Sequence, residues 1–358
     1  GGVTVSKNHT KEHDSLRGPA LTANPADYSV VIIANSAVAP LMGEGLIRPL
    51  DDLVAKHGAS LKKHQLVTVD GKVMAIAFMA NAQHLFYRSD ILKKAGVAAP
   101  TTYEEVLAAA KAIKGAGLMD YPFAFNTAAG WNLGEEFVNM YMGTGADFFK
   151  PGTAEINVNN EHGIATLNMM KALTEYSNPD FLTFNSDATQ ALWEAGDLAL
   201  ATFWGTRASP IMDDEGSTEE VTSNTVVASA PFFAGGPRPS STLWWDGFSI
   251  ASNVSDEDAE ASFLAMMNGM SKEMVMANND LAVWLMDGYK PSKASVGVTE
   301  TASNGAAPYP SLPFFGALHG AAGAELTDFL QGNESAEQAL ADMEAAYTAS
   351  AKEKGFLN

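Results

Sequence analysis

Residues 71–113 read GKVMAIAFMANAQHLFYRSDILKKAGVAAPTTYEEVLAAAKAI, and this stretch decides the fold class. Its second half predicts a helix, because apolar residues recur three and four positions apart. Thr102 is a suitable first cap, since Glu105 follows three residues later, as in a capping box. Its first half carries apolar runs on either side of residues 81–84, for which we expect a polar loop. Short apolar runs that alternate with alanine-rich amphipathic segments indicate an α/β protein.

The same alternation continues on both sides of this stretch. Residues 27–36, DYSVVIIANS, predict a buried strand that ends in a loop. Residues 335–354 predict a further amphipathic helix with Ser335 as its N-cap and Gln338 three positions later. Two glycine-rich stretches, 232–240 and 297–311, predict loops and not linkers between separate domains.

Composition excludes several classes of protein. The 358 residues include no cysteine, so disulfides, thiolate metal sites and cysteine nucleophiles are ruled out. The formal net charge of −20 repels phosphate backbones, so nucleic acid is not expected as a partner. No stretch approaches the about 20 apolar residues that a membrane span needs. The first ten residues, GGVTVSKNHT, contain no signal peptide, although a mature exported chain would look the same.

Motifs of catalysis and metal binding are missing from the sequence. Phosphate-binding glycine loops, the GxSxG elbow and HExxH do not occur. His9, Glu12 and His13 would share a helical face, but a solvated helix start near the chain end is the favoured interpretation. The acidic run of residues 213–216 with Glu219 and Glu220 lacks the oxygen spacing of a calcium loop, which favours a solvated loop. We therefore predict no catalytic residue, no metal site and no cofactor.

Six segments, in order, resemble the family of extracellular solute-binding proteins that includes the maltose- and glycerol-phosphate-binding proteins. The most recognisable is 71–113, with a strand, a polar loop, the LFYRSD strand, then PTTYEE and a helix. The other segments are 25–54, 192–206, 243–267, 287–296 and 311–347. Family members ordinarily carry a strand and a helix ahead of the part matched here. Lys290 and Ser292 also depart from the family's apolar residue and threonine, which puts ligand contacts there in doubt.

The resemblance implies a two-lobed periplasmic-binding-protein fold of type II, in which each lobe is a β-sheet flanked by helices. It implies a first lobe of residues 1–79 and 250–306, and a second lobe of residues 83–246 and 312–358. Three hinge crossovers would join the lobes, near 80–82, 247–249 and 307–311.

The resemblance also implies a function. The chain would be the substrate-binding protein of an ABC importer, a monomer that captures a sugar or polyol and delivers it to the permease. It would act in the periplasm, or outside the cell as a lipid-anchored protein. Three alternatives stay open: a glycoside-processing enzyme, a docking or scaffold role, and a trap for an anionic sugar phosphate such as glycerol 3-phosphate, bound through Arg207 and Lys290.

A sugar presents flat CH faces and a rim of hydroxyls, so its site needs aromatic plates and short polar groups in a closing cleft. Residues of these types lie where strands are predicted to end or where the chain would cross between lobes. They are Asn35, Ser36, Asn81, Gln83, Trp131, Asn132, Trp204, Arg207, Trp244, Trp245, Asp246 and Tyr289.

Several of these candidates have a second interpretation. Trp131, predicted in a glycine-flanked loop, is either a stacking plate or a plug of the second lobe's core. Arg207 either forks two hydrogen bonds to sugar hydroxyls or pairs a structural carboxylate. If side chains alternate at Trp244 and Trp245, one faces the cleft and the other the core, with Asp246 beside them to grip two hydroxyls.

Overall fold

A computed structural model describes residues 4–10, 13–213, 215–233 and 235–358. It has the predicted mixed α/β fold. The helices are α1 (His13–Thr22), α2 (Asn35–Gly43), α3 (Asp51–His57), α4 (Ser89–Ala95), α5 (Tyr103–Gly115), α6 (Trp131–Thr144), α7 (Glu161–Thr174), α8 (Ser186–Glu194), α9 (Ala208–Met212), α10 (Glu219–Asn224), α11 (Asp256–Gly269), α12 (Lys272–Ala277), α13 (Val296–Ser303), α14 (Phe315–Gln331) and α15 (Ala336–Glu353). The strands are β1 (Val30–Ala34), β2 (Leu66–Val69), β3 (Lys72–Arg88), β4 (Phe123–Ala124), β5 (Leu200–Trp204), β6 (Thr225–Ala228), β7 (Thr242–Ile250), β8 (Val283–Trp284) and β9 (Ala307–Pro308).

The chain divides into two compact units. The first comprises Gly1–Asn81, Trp244–Lys290 and Tyr309–Pro313, and the second comprises Ala82–Leu243, Pro291–Pro308 and Phe314–Asn358. The sequence expectation placed residues up to 306 in the first lobe, whereas the segment from Pro291 packs in the second unit. The reason is α13, whose Thr301 hydroxyl accepts a hydrogen bond from the Ala230 amide just after β6, at 2.9 Å.

The first unit is built on the pairing of β7 with β1. These strands are antiparallel in the register Val30↔Ile250 to Ala34↔Asp246. On its other edge β7 adjoins the first half of β3, which forms a hairpin with β2. Apolar residues cover both faces of this sheet, Ile33 and Met74 in one cluster and Ile76 and Phe263 in another.

The second unit is built on the other half of β3. Residues 83–87 pair antiparallel with β5, in the register Gln83↔Trp204 to Tyr87↔Leu200. β6 also pairs with β3, and β4 runs parallel to β5. Trp193 and Phe203 are fully buried in the core of this sheet. Four helices, α6, α7, α14 and α15, pack together in the same unit.

Two predicted helices begin where their caps indicate. The Thr102 hydroxyl accepts from the Glu105 amide at 3.2 Å, and the Glu105 carboxylate accepts from the Thr102 amide at 3.3 Å. The Ser335 hydroxyl accepts from the Gln338 amide at 3.2 Å, at the start of α15. Both predictions are confirmed, because a cap depends only on residues within one turn.

Three predicted loops are wrong. Residues 81–84 form no loop, because β3 runs unbroken through them and its ladder keeps the backbone paired. Residues 35–36 begin helix α2 directly after β1. The glycine-rich stretch 297–311 contains most of α13, which packs against β6.

Candidate functional site

Trp131 presents an aromatic plate on the second unit. It is the first residue of α6 and not part of a loop, and 47% of it is exposed. Its indole stacks on the imidazole of His319 with ring centres 4.9 Å apart, and lies 6.3 Å from the ring of Trp204 at an interplanar angle of 26°. The structure therefore brings together two tryptophans that the sequence analysis selected separately. Trp131 is not a core plug.

Glycine fixes the start of α6. Gly130 precedes Trp131 with a φ of 95°, a conformation that side chains rarely adopt. Its amide donates to the Gly323 carbonyl on α14 at 3.0 Å, and a Cβ on Gly323 would collide with Gly130. A Cβ on Gly134 would lie 2.6 Å from Cδ2 of His319. α14 can thus approach α6 closely enough to place His319 behind the plate.

His319 connects the plate to a buried carboxyl group. Its Nε2 lies 2.8 Å from the carbonyl oxygen of Trp131, and because a carbonyl only accepts, Nε2 carries the hydrogen. Burial lowers the pKa of His319 to about 4, so the imidazole is neutral near pH 7. Its Nδ1 lies 3.8 Å from Oε2 of Glu135. The Thr242 hydroxyl lies 2.8 Å from Oε1 of the same carboxyl.

Glu136, the next residue of α6, is also buried. Its Oε1 accepts from the Asn126 amide at 2.9 Å, and the Gln83 side chain binds the same carboxyl. Burial, followed by the charge of Glu135, raises the pKa of Glu136 well above its usual value, although these hydrogen bonds oppose the rise. Gln83, predicted as a ligand contact, is itself buried beside this group.

Arg207 follows β5 and Trp204, and its guanidinium has two partners on α8. Its Nη2 lies 3.0 Å from Oδ1 of Asp187, and its Nη1 donates to Oε1 of Gln190 at 2.9 Å. The guanidinium thus pairs a structural carboxylate on α8. The remaining second-unit candidate, Asn132, is half-buried on α6.

The first unit holds the other candidates. Trp244 is buried against Tyr309, with ring centres 4.3 Å apart, whereas Trp245 packs against the core cluster that contains Ile33. Asp246 is half-buried and pairs in the ladder with Ala34, which immediately precedes Asn35. Asn35 is buried, and half-buried positions are held by Ser36, Asn81 and Tyr289.

The sequence analysis missed Glu135, Glu136 and His319. The signal for the carboxyl groups was available, because Glu135 stands four residues after Trp131 and therefore shares its helix face. His319 gave no such signal, since it lies 188 residues from Trp131.

Within the described part of the chain, no cluster of three or more acidic, histidine or cysteine side chains could hold a metal ion. Glu12 and Asp214, from the two candidates considered in the sequence, lie outside the described residues. Among the helices described, none is long and apolar enough to span a bilayer.

Comparison with known proteins identifies relatives over most of the chain. The family model for bacterial extracellular solute-binding proteins matches residues 11–271. A Deinococcus radiodurans protein named "Probable ABC transporter-binding protein" is 25% identical over 326 residues, which cover 86% of this chain and 72% of that protein.

Solved structures share the fold. The maltose-bound MalE3 of T. maritima has a TM-score of 0.82 at 20% identity, covering 94% of this chain and 88% of its own. A ribitol-bound solute-binding protein of Agrobacterium radiobacter K84 has a TM-score of 0.82 at 21% identity, covering 93% and 87%. A D-mannitol-bound one of Agrobacterium vitis S4 has a TM-score of 0.79 at 20% identity, covering 96% and 89%. These likenesses confirm the predicted fold of two-lobed binding proteins.

Proposed function

Because the chain belongs to the family of bacterial extracellular solute-binding proteins, we propose that it captures an uncharged sugar or polyol and delivers it to the permease of an ABC importer. Its place of action is the periplasm, or the outer face of the membrane if the protein is lipid-anchored. The relative named as an ABC transporter-binding protein supports the importer assignment.

The observation that carries this proposal is the exposed plate of Trp131. A soluble protein gains stability by burying an indole, whereas this indole lies open and is supported by two other rings. A flat apolar face beside polar groups suits the CH face and hydroxyl rim of a sugar. Half-buried Asn132, on the same helix, is the proposed hydroxyl contact beside the plate, while Ser36, Asn81 and Asp246 stay predicted contacts of the first unit.

The charges favour an uncharged ligand over a sugar phosphate. Arg207, the cation nearest in sequence to Trp204, is neutralised by Asp187 and hydrogen-bonded to Gln190. The buried groups nearest the plate, Glu135 and Glu136, are carboxyl groups and cannot attract an anion. The chain as a whole carries a formal net charge of −20. Phosphate recognition would need an available cation or a helix N-terminus aimed at the ligand. The bound maltose, ribitol and D-mannitol of the structural neighbours agree with a neutral ligand.

We also propose that the chain catalyses no reaction. A glycosidase places two carboxyl groups on opposite sides of the scissile bond, about 5–9 Å apart. Glu135 and Glu136 are consecutive residues of one helix, and both are buried. They cannot flank a sugar from two sides.

The two compact units are the proposed lobes of the binding protein, and the segments between them are the proposed hinges. The chain passes between the units at 81–82, 243–244, 290–291, 308–309 and 313–314. Two of these passages, 81–82 and 308–309, lie inside expected hinge segments, and 243–244 lies just before the third. Bending at such segments is the usual means by which this class of trap responds to ligand.

A thermal-shift and calorimetry panel tests the proposal with maltose, D-mannitol, ribitol and glycerol 3-phosphate. A ligand at 100 times its Kd stabilises the native protein by about 2.7 kcal/mol. We expect a shift with at least one neutral compound and none with the phosphate. Trp131→Ala should weaken that binding by about 2 kcal/mol, or about 30-fold.

Tyr121→Ala is the matched control, since Tyr121 is another exposed aromatic residue of the second unit that contacts Lys114 instead. It should leave the Kd unchanged. The proposal fails if no neutral compound binds, or if Tyr121→Ala weakens binding as much as Trp131→Ala.

A further inference from the structure

We infer that His319 and Glu135 are positioning residues of the sugar site: they hold the Trp131 plate in its binding orientation before the ligand arrives. The inference rests on the proposed function, because it assigns a role in the same site. Neither residue needs to contact the ligand.

The need for positioning follows from where Trp131 stands. It begins a helix, and half of its surface is exposed, so core packing encloses it only in part. Immobilising such a side chain on binding costs conformational entropy, and a plate held in advance avoids that cost. His319 holds the residue at two points, since its ring stacks on the indole and its Nε2 donates to the Trp131 carbonyl.

Glu135 holds His319 in turn. Its Oε2 lies 3.8 Å from Nδ1, the imidazole nitrogen that does not bond Trp131. Its Oε1 is fixed by the Thr242 hydroxyl at 2.8 Å. Thr242 is fixed by its own amide, which donates to Oδ1 of Asn139 at 2.7 Å, one turn further along α6. The imidazole is therefore fixed at Nε2 by a hydrogen bond to Trp131 and bordered at Nδ1 by the carboxyl group of Glu135, and both residues belong to α6.

The backbone of α6 lies very close to the His319 ring. Gly134 faces His319 so closely that an added Cβ would lie 2.6 Å from Cδ2. His319 itself is 3% exposed although a histidine usually keeps water contact. An apolar residue at position 319 could fill the same buried space without needing any hydrogen bond. The polar arrangement is accounted for by what it holds, which is the carbonyl and ring of Trp131.

A double-mutant cycle on ligand affinity provides the test. The Kd for maltose and for D-mannitol is measured by calorimetry in wild type, His319→Leu, Trp131→Ala and the double variant. A positioning residue acts through the plate, so His319→Leu should weaken binding about 10-fold in wild type and by less than about 2-fold once Trp131 is alanine. Equal losses in both backgrounds would overturn the inference, because a general structural role does not depend on Trp131.

A spectroscopic measurement separates this inference from the proposed function. The near-ultraviolet circular dichroism of Trp131 is isolated, without any ligand, as the difference between a protein and its Trp131→Phe derivative. His319→Leu should abolish that difference signal, while Glu135→Gln, which keeps the shape and the polar end of the side chain beside Nδ1, should retain it and Glu135→Leu should not. If wild type binds neither sugar, the proposed function fails and this signal alone decides the positioning role. If His319→Leu does not fold, His319→Gln takes its place, and an unchanged Trp131 signal in that variant overturns the inference.

Discussion

Acidification should destabilise this protein through His84, a buried residue of β3. Its imidazole stacks on Phe86, with ring centres 4.7 Å apart and planes 8° from parallel. Gly297 also lies against the ring, since a Cβ added there would be 2.2 Å from Nδ1. Burial lowers the pKa of His84 to about 4. The unfolded chain therefore binds a proton more tightly than the folded one, and the stabilisation is complete above the ordinary pKa of 6.5 and is lost as the pH falls towards 4. At 1.36 kcal/mol per pH unit, the lowered pKa of His84 corresponds to about 3 kcal/mol.

The assay is urea unfolding at a series of pH values between 7 and 4 for wild type and His84→Gln. Whatever the substitution does to stability at pH 7, the variant should lose about 3 kcal/mol less than wild type on acidification, because it lacks the titrating ring. His162→Gln is the matched control, because it makes the same substitution at an exposed position of α7. Parallel curves for wild type and His84→Gln would refute the reasoning.

Three further results are expected. Glu136→Gln should stabilise the protein more at pH 8 than at pH 5. The raised pKa of Glu136 means that wild type loses stability as the pH rises above the usual carboxyl value. Melting temperatures of both proteins at the two pH values check this, and an equal effect of the substitution at both contradicts it. Gly134→Ala should destabilise the fold and displace His319, since its Cβ would lie 2.6 Å from Cδ2; an unfolding free energy within about 0.5 kcal/mol of wild type would count against it. Thr102→Ala should cost about 1 kcal/mol in chemical unfolding through loss of the cap on Glu105, and no loss would show that the cap is immaterial.

The parts of the fold that could be predicted from the sequence are those that depend on neighbours along the chain. The cap of α5 at Thr102 and that of α15 at Ser335 are each decided within one helical turn. Residues 81–84 were misassigned because their polar side chains suggested a loop. Their state is decided by the strands beside them: Gln83 pairs with Trp204, more than a hundred residues away, and the ladder satisfies the backbone whatever the side chains are.

The candidate site was predictable by residue type but not by arrangement. Stacking on a sugar needs an aromatic side chain, so Trp131 and Trp204 could be selected by residue type. The structure places the centres of their rings 6.3 Å apart. The sequence could not identify the partners of Arg207, because they depend on α8 placing Asp187 and Gln190 beside the guanidinium. The contacts of Trp244 and Trp245 could not be predicted either, because Trp244 packs against the distant Tyr309 and Trp245 against the core cluster of the first unit.

The cost of burying the two carboxyl groups of α6 also favours a role for this helix in positioning Trp131. Burying an ionisable group without a cation costs several kcal/mol, and an apolar side chain at Glu135 or Glu136 would avoid that cost. Both groups lie in the helix that Trp131 begins, and each holds a residue selected for the site or its support: Glu135 contacts His319, and Glu136 binds Gln83. Departures from the apolar core of a stable fold are expected where function requires them. Core packing alone gives no reason for two adjacent carboxyl groups here, whereas a pre-ordered plate does.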